Sequence, residues 1–133
     1  MARLAPFRYE VPRWREGLIP DKDEAVESPN RLSNDPDRAR RLLELVPQVP
    51  TPIWGRDDLH AGEMWNSNST ISWLIARSGL DVESVALPLG GRAPGWQAGI
   101  VIARRQQAEA RQHRLAREAL AEDGRELVQL AAL

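Results

Sequence analysis

Two stretches of the sequence predict β-strands, one by its alternation of apolar and polar residues and one by a run of β-branched residues. Residues 7–14, "FRYEVPRW", alternate with a period of two, as a half-buried strand does, and Pro12 places the later part of that strand at a sheet edge or a bulge. The β-branched run at 100–102, "IVI", suits a buried strand. Together these stretches indicate a sheet of few strands.

Longer apolar periods predict helices between the two strands. Residues 36–46 place apolar side chains three and four positions apart behind a cap at Asn34 or Asp35, which predicts an amphipathic helix. A second helix, largely apolar and therefore central, is predicted at about 67–78, where Gly79 would end it. The fold class that follows is α+β.

The C-terminal residues have a different pattern. From 104 to 133 the chain consists of strong helix formers without an aromatic residue, which predicts a long exposed helix and, after Gly124, a shorter one. A narrow apolar seam runs along this stretch, formed by Leu115, Ala119, Leu120, Leu127 and Leu130. We therefore expect a compact α+β region at 1–103 and a helical tail at 104–133.

Composition excludes several classes of protein. A chain of 133 residues with a net charge of −1 lacks the basic excess that nucleic acid or an anionic membrane would attract. It has no cysteine, so disulfides, thiolate metal sites and a cysteine nucleophile are excluded. Since it also has no apolar run long enough to span a bilayer and no signal-peptide pattern, we expect a cytoplasmic protein without a cofactor.

Four small polar residues, 66–69, stand directly before the predicted central helix. Asn66 and its neighbours can cap that helix by accepting hydrogen bonds from its first amides. Alternatively, Ser67 acts as a nucleophile at the positive end of the helix dipole, which requires a base such as His60, seven residues earlier. Both interpretations remain open at the level of sequence, and capping is favoured.

The surroundings of His60 offer carboxylates that would orient its ring, at Asp57, Asp58 and Glu63. Their spacing matches no known set of metal ligands, so no metal site is predicted. A second unusual stretch, "GGRAPGW" at 90–96, has the glycines and proline of a tight turn, in which Trp96 fills an apolar gap. Arg92 there is the candidate ligand for a carboxylate or phosphate, although the stretch lacks the lysine of a phosphate loop.

These two stretches, "WNSNS" and "GGRAPGW", carry a resemblance. Residues 7–103 resemble the C-terminal half of uncharacterised actinobacterial proteins, often membrane-anchored, that are distantly similar to permuted NlpC-type papain-like hydrolases. The resemblance implies an incomplete papain-like fold in which Ser67, between Asn66 and Asn68, occupies the position of the family's cysteine. The family's upstream histidine has no counterpart here, which implies an inactive relative, a chain that starts late, and self-association through exposed edges.

Three hypotheses follow. The first is a non-catalytic module with a structural or ligand-binding role, in which Asn66, Asn68, Arg92 and Trp96 contact the ligand. The second is a weak serine hydrolase or acyltransferase that uses Ser67 with His60. The third is an interaction protein that docks a protein partner, or a second copy of itself, through its C-terminal helix.

Overall fold

A computed structural model describes Val11 and residues 16–18, 22–24 and 30–132. Three α-helices form its framework, and short 3-10 turns lie before and between them. The α-helices are α1, Pro36–Leu45; α2, Ser67–Arg77; and α3, Trp96–Ala131. The 3-10 turns are Lys22–Glu24, Val46–Gln48 and Val82–Ser84. None of the residues that the structure describes lies in a β-strand.

The predicted first helix is confirmed as α1. The Asp35 carboxylate caps it by accepting a hydrogen bond of 2.9 Å from the amide of Asp37, and Pro36 occupies the first turn, where no amide is needed. The chain then tightens into the 3-10 turn Val46–Gln48. Leu45, at the end of α1, is buried and anchors the helix to the core.

The predicted central helix is confirmed as α2. Its buried side chains reach two apolar clusters, because Trp73 and Leu74 enter the larger cluster while Ile75 enters the smaller one. The larger cluster consists of Leu45, Val46, Val49, Trp65, Trp73, Leu74, Ala98, Ile102 and Ala103. The smaller consists of Ile75, Val82 and Ile100. After α2, Gly79 adopts a φ of +79° and ends the helix as predicted.

The strand predicted at 100–102 is wrong, because these residues belong to α3. Ile100 packs in the smaller cluster and Ile102 in the larger one, so the start of α3 is buried on more than one side. A helix enclosed in this way has a continuous apolar run and loses the amphipathic period. Such a run cannot be distinguished from a buried strand by periodicity.

The α+β class, with its incomplete papain-like arrangement of few strands, is therefore wrong for the described residues, which are helical where they are regular. The other predicted strand, 7–14, lies outside the described residues apart from Val11, which packs against the larger cluster. The predicted break at Gly124 is also wrong, since α3 continues through it. One glycine costs a helix only about 1 kcal/mol, which its neighbours offset.

Contacts within the chain define two units, 1–103 and 104–133. The first contains both apolar clusters. In the second, every described side chain except the half-buried Gln106 is exposed to solvent. No helix among the described residues has the length and apolar character needed to cross a membrane.

Candidate functional site

The entrance of α2 is closed by a reciprocal cap. The Oδ1 atom of Asn66 accepts hydrogen bonds from the amides of Asn68, at 2.9 Å, and Ser69, at 3.3 Å. In return, the Oγ atom of Ser69 accepts a bond of 3.1 Å from the amide of Asn66. This is a capping box, and it occupies two of the four polar side chains at this entrance.

The asparagine amides extend from the cap to another part of the chain. The Nδ2 atoms of Asn66 and Asn68 both donate to the carbonyl oxygen of Pro94, at 2.8 and 3.0 Å. Pro94 lies two residues before α3 begins. The cap of one helix therefore also fixes the segment that leads into the next.

Two buried serines continue this connection. The hydroxyl of Ser69 donates to the carbonyl oxygen of Gly95, and that of Ser72 donates to the carbonyl oxygen of Trp96, each over 2.7 Å. Neither serine has measurable solvent exposure. We call the side chains of Asn66, Asn68, Ser69 and Ser72, together with the backbone of 94–96, the polar interface.

Two glycines allow the backbones of α2 and α3 to approach at the polar interface. A Cβ atom on Gly95, whose φ is +85°, would lie 2.7 Å from the Oγ atom of Ser69. On Gly99 it would lie 2.0 Å from the Oγ atom of Ser72 and 2.1 Å from the carbonyl oxygen of Ser69. No side chain fits at these distances, so both positions require glycine. Gly95, directly before α3, and Gly99, in its first turn, therefore both face α2.

Two acidic residues near His60, Asp57 and Glu63, accept hydrogen bonds from backbone amides. Glu63 accepts a hydrogen bond of 3.2 Å from the amide of Gln97 in the first turn of α3, where a carboxylate also meets the positive end of the helix dipole. The Asp57 carboxylate accepts from the amides of Ala61 and Gly62, at 2.6 and 2.9 Å. Asp57 therefore stabilises the loop around His60, and Glu63 stabilises the start of α3.

Asp58, the remaining acidic residue of this group, forms an exposed ion pair of 3.2 Å with Arg56. Backbone bonds of 2.9 Å from the amide of Gly55 to the carbonyl oxygen of Trp65, and from the amide of Trp65 to that of Arg56, close the loop. The chain therefore holds His60 in a loop whose ends are pinned together.

The predicted nucleophile and base are placed as follows. Ser67 is the first residue of α2 and is exposed, and it contributes no side chain to the capping box or to the polar interface. His60 is exposed and has a φ of +53°, in the left-handed region. None of the hydrogen bonds described at this entrance links Ser67 to His60. The pair remains a prediction, and the structure supplies no geometry that favours it.

The predicted ligand contacts separate in the structure. Asn66 and Asn68 lie in the polar interface, where their amides donate to Pro94. Trp96 is half-buried and packs against the smaller cluster, so it fills an apolar gap as the sequence predicts. Arg92 is exposed and takes no part in the polar interface.

Sequence reasoning missed Gly99 and Ser72, and it assigned Glu63 to His60, whereas Glu63 accepts a hydrogen bond at the entrance of α3. Both glycines stand in "GWQAG", Gly95 directly before α3 and Gly99 in its first turn, but the sequence does not show that they face α2. The incorrect prediction of a strand at 100–102 hid the start of α3.

Comparison of this chain with protein-family models, with curated proteins and with solved structures gave no match.

Proposed function

We propose that this protein is a non-catalytic helical module that binds a protein partner through the exposed part of α3. That helix begins in the compact region, and the polar residues at the entrance of α2 stabilise the fold. The observation that carries the proposal is that Asn66, Asn68, Ser69 and Ser72 all bond to the backbone of 94–96.

A structural role accounts for each of these side chains. Buried hydroxyl and amide groups are costly unless they are hydrogen-bonded, and here the carbonyl oxygens near the start of α3 supply the acceptors. The bonds to Pro94 fix the orientation of the Asn66 and Asn68 amides, and the Oδ1 atom of Asn66 already accepts from the backbone of α2. The entrance is thus better suited to holding two helices together than to capturing a small molecule.

The exposed part of α3 supports the partner-binding role. Large apolar side chains there are more than half exposed: Leu115, Leu120, Leu127, Val128 and Leu130. A regular helix with leucines on its surface provides the anchor residues with which helices bind grooves or other helices. Nothing comparable is exposed in α2, where Ile71 is the one large apolar residue with more than a third of its surface accessible.

We expect no covalent labelling of the folded protein by a fluorophosphonate probe, because none of the hydrogen bonds seen among the described residues joins the exposed Ser67 hydroxyl to a base. Intact-mass spectrometry after incubation measures the adduct, with Ser67→Ala as the test variant and the half-buried Ser33→Ala as a control away from this entrance. An adduct on the native chain that Ser67→Ala abolishes and Ser33→Ala retains would overturn the proposal and establish the serine hydrolase alternative, in which the exposed Ser67 hydroxyl attacks at the positive end of α2.

We also expect the surface of α3 to be accessible in dilute protein. Since the chain has no cysteine, Leu120→Cys introduces a single reporter at a position that is 71% exposed, and Ala103→Cys introduces one at a position that is fully buried. A maleimide should modify the first rapidly and the second slowly, measured by mass over time. Slow modification of Leu120→Cys in a monomeric sample would contradict a helix available to partners.

A further inference from the structure

The exposed part of α3 has opposite charges at its two ends. Residues 104–117 contain five arginines and one glutamate, whereas 118–132 contain four carboxylates and one arginine. Within the helix, Arg114 and Glu118 form an ion pair of 3.9 Å where the charge changes sign. The net charge is therefore +4 over 104–117 (5 minus 1) and −3 over 118–132 (1 minus 4).

The charge pattern of one copy matches that of a second copy that runs in the opposite direction. In an antiparallel pair of such helices, the arginine-rich half of each lies beside the carboxylate-rich half of the other, and their helix dipoles also oppose favourably. In a parallel pair, like charges would lie side by side and repel. The segment thus supplies both halves of an electrostatic match in one chain.

The apolar residues fit the same arrangement. Leu115, Ala119, Leu120, Leu127 and Leu130 lie within an arc of roughly 140° on a helix of 3.6 residues per turn, which makes a seam along one side. A two-fold axis between residues 117 and 118, where the charge changes sign, places Leu115 beside Leu120 of the second copy. The same axis places Ala116 beside Ala119 of the second copy.

We propose that two copies of this chain associate through antiparallel pairing of the exposed part of α3, with the two-fold axis between residues 117 and 118. The inference rests on the proposed function, since it names the partner that the exposed helix binds. A second copy is favoured over a different protein because reversal of this segment reproduces both the charge match and the contact between Leu115 and Leu120.

Charge reversal in one half tests the pairing. The acidic variant, Arg111→Glu with Arg114→Glu, and the basic variant, Glu122→Arg with Asp123→Arg, should each lose the dimer mass of the native protein in light scattering, and an equimolar mixture of the two should regain it. Arg40→Glu with Arg41→Glu, on exposed positions of α1, changes the net charge by as much as the acidic variant does and should leave the dimer intact.

The orientation is tested by combining all four substitutions in one chain. In an antiparallel pair of this chain, the new glutamates at 111 and 114 of one copy lie near the new arginines at 122 and 123 of the other, so the local charge match is restored. The chain should therefore form a dimer with itself in preference to one with a tagged native chain. Helices that pair in parallel give the opposite result, with mixed dimers preferred, and that result would overturn the antiparallel arrangement. Circular dichroism of each variant checks that the helix content is unchanged.

The outcomes separate this inference from the proposed function. A native chain that stays monomeric across a dilution series, while Leu120→Cys is labelled rapidly, overturns pairing with a second copy and leaves a helix that binds another protein. A dimer that both half-reversed variants retain also overturns it. Protection of Leu120→Cys in a monomer instead removes the proposed function itself, because the helix surface would then be covered by its own chain.

Discussion

Gly99→Ala is expected to destabilise the folded protein by about 3 kcal/mol or more, at or beyond the upper end of the range for an overpacked core. The new methyl group would lie 2.0 Å from the Oγ atom of Ser72 and 2.1 Å from the carbonyl oxygen of Ser69. The carbonyl belongs to the backbone of α2 and cannot rotate away. The helices must therefore separate, which weakens the short hydrogen bonds of Ser69 and Ser72 to the segment 95–96.

The same helix offers a matched control in Gly124→Ala. No atom lies within 4 Å of a Cβ atom built there, and the position is helical and exposed. Alanine should therefore stabilise the protein by roughly 0.5–1 kcal/mol through its higher helix propensity. Urea unfolding followed by circular dichroism measures both variants. If both substitutions changed the free energy of unfolding equally, helix propensity and not the contact with α2 would determine the stability of Gly99→Ala.

Sequence patterns predicted α1 and α2 because the relevant signals are local. The cap at Asp35, the proline at Pro36 and the glycine at Gly79 act within a few residues of the helix ends that they define. Their effect does not depend on which part of the chain packs nearby. This explains why the bounds of both helices were close to those observed.

The start of α3 was misread because its signal depends on packing. Ile100 and Ile102 enter different clusters, so the apolar run shows burial on several sides and no helical period. The run is also β-branched, which favours a strand when neighbours are unknown. Recognising the helix required knowing that Gly95 and Gly99 face the backbone of α2.

The candidate site was located by sequence, but its purpose was not. The surplus of polar residues at 66–69 suggested either generous capping or an active site. These side chains bond to the carbonyl oxygens of Pro94 and Gly95, which lie 26 residues farther along the chain. No pattern in the local sequence reveals such a distant acceptor. Buried polar groups in proteins are hydrogen-bonded, but sequence alone does not identify the acceptor.

The two stretches on which the predicted family resemblance rests, "WNSNS" and "GGRAPGW", contact each other, since Asn66 and Asn68 of the first donate to Pro94 of the second. The resemblance itself remains a prediction. Both stretches therefore contribute to the contact between the entrances of α2 and α3. That contact accounts for the asparagines at 66 and 68, whereas Ser67 and Arg92 take no part in it.

The most direct test of a structural entrance compares the unfolding free energies of Ser69→Ala and Ser67→Ala. Ser69→Ala removes the buried hydroxyl that accepts from the amide of Asn66 and donates to the carbonyl oxygen of Gly95. Leaving such groups without a partner costs about 1–3 kcal/mol. Ser67→Ala alters an exposed side chain outside the polar interface, so its effect should stay within about 0.5 kcal/mol.

Urea unfolding of the two variants beside the native chain, with secondary structure confirmed by circular dichroism, provides this comparison. A clear loss of stability for Ser69→Ala with none for Ser67→Ala is the result expected if the polar residues hold α2 against the start of α3. Similar stability of Ser69→Ala and the native chain would contradict a structural role for the polar interface. A gain in stability for Ser67→Ala would instead contradict a non-catalytic entrance, since active-site residues often lower stability for the sake of function.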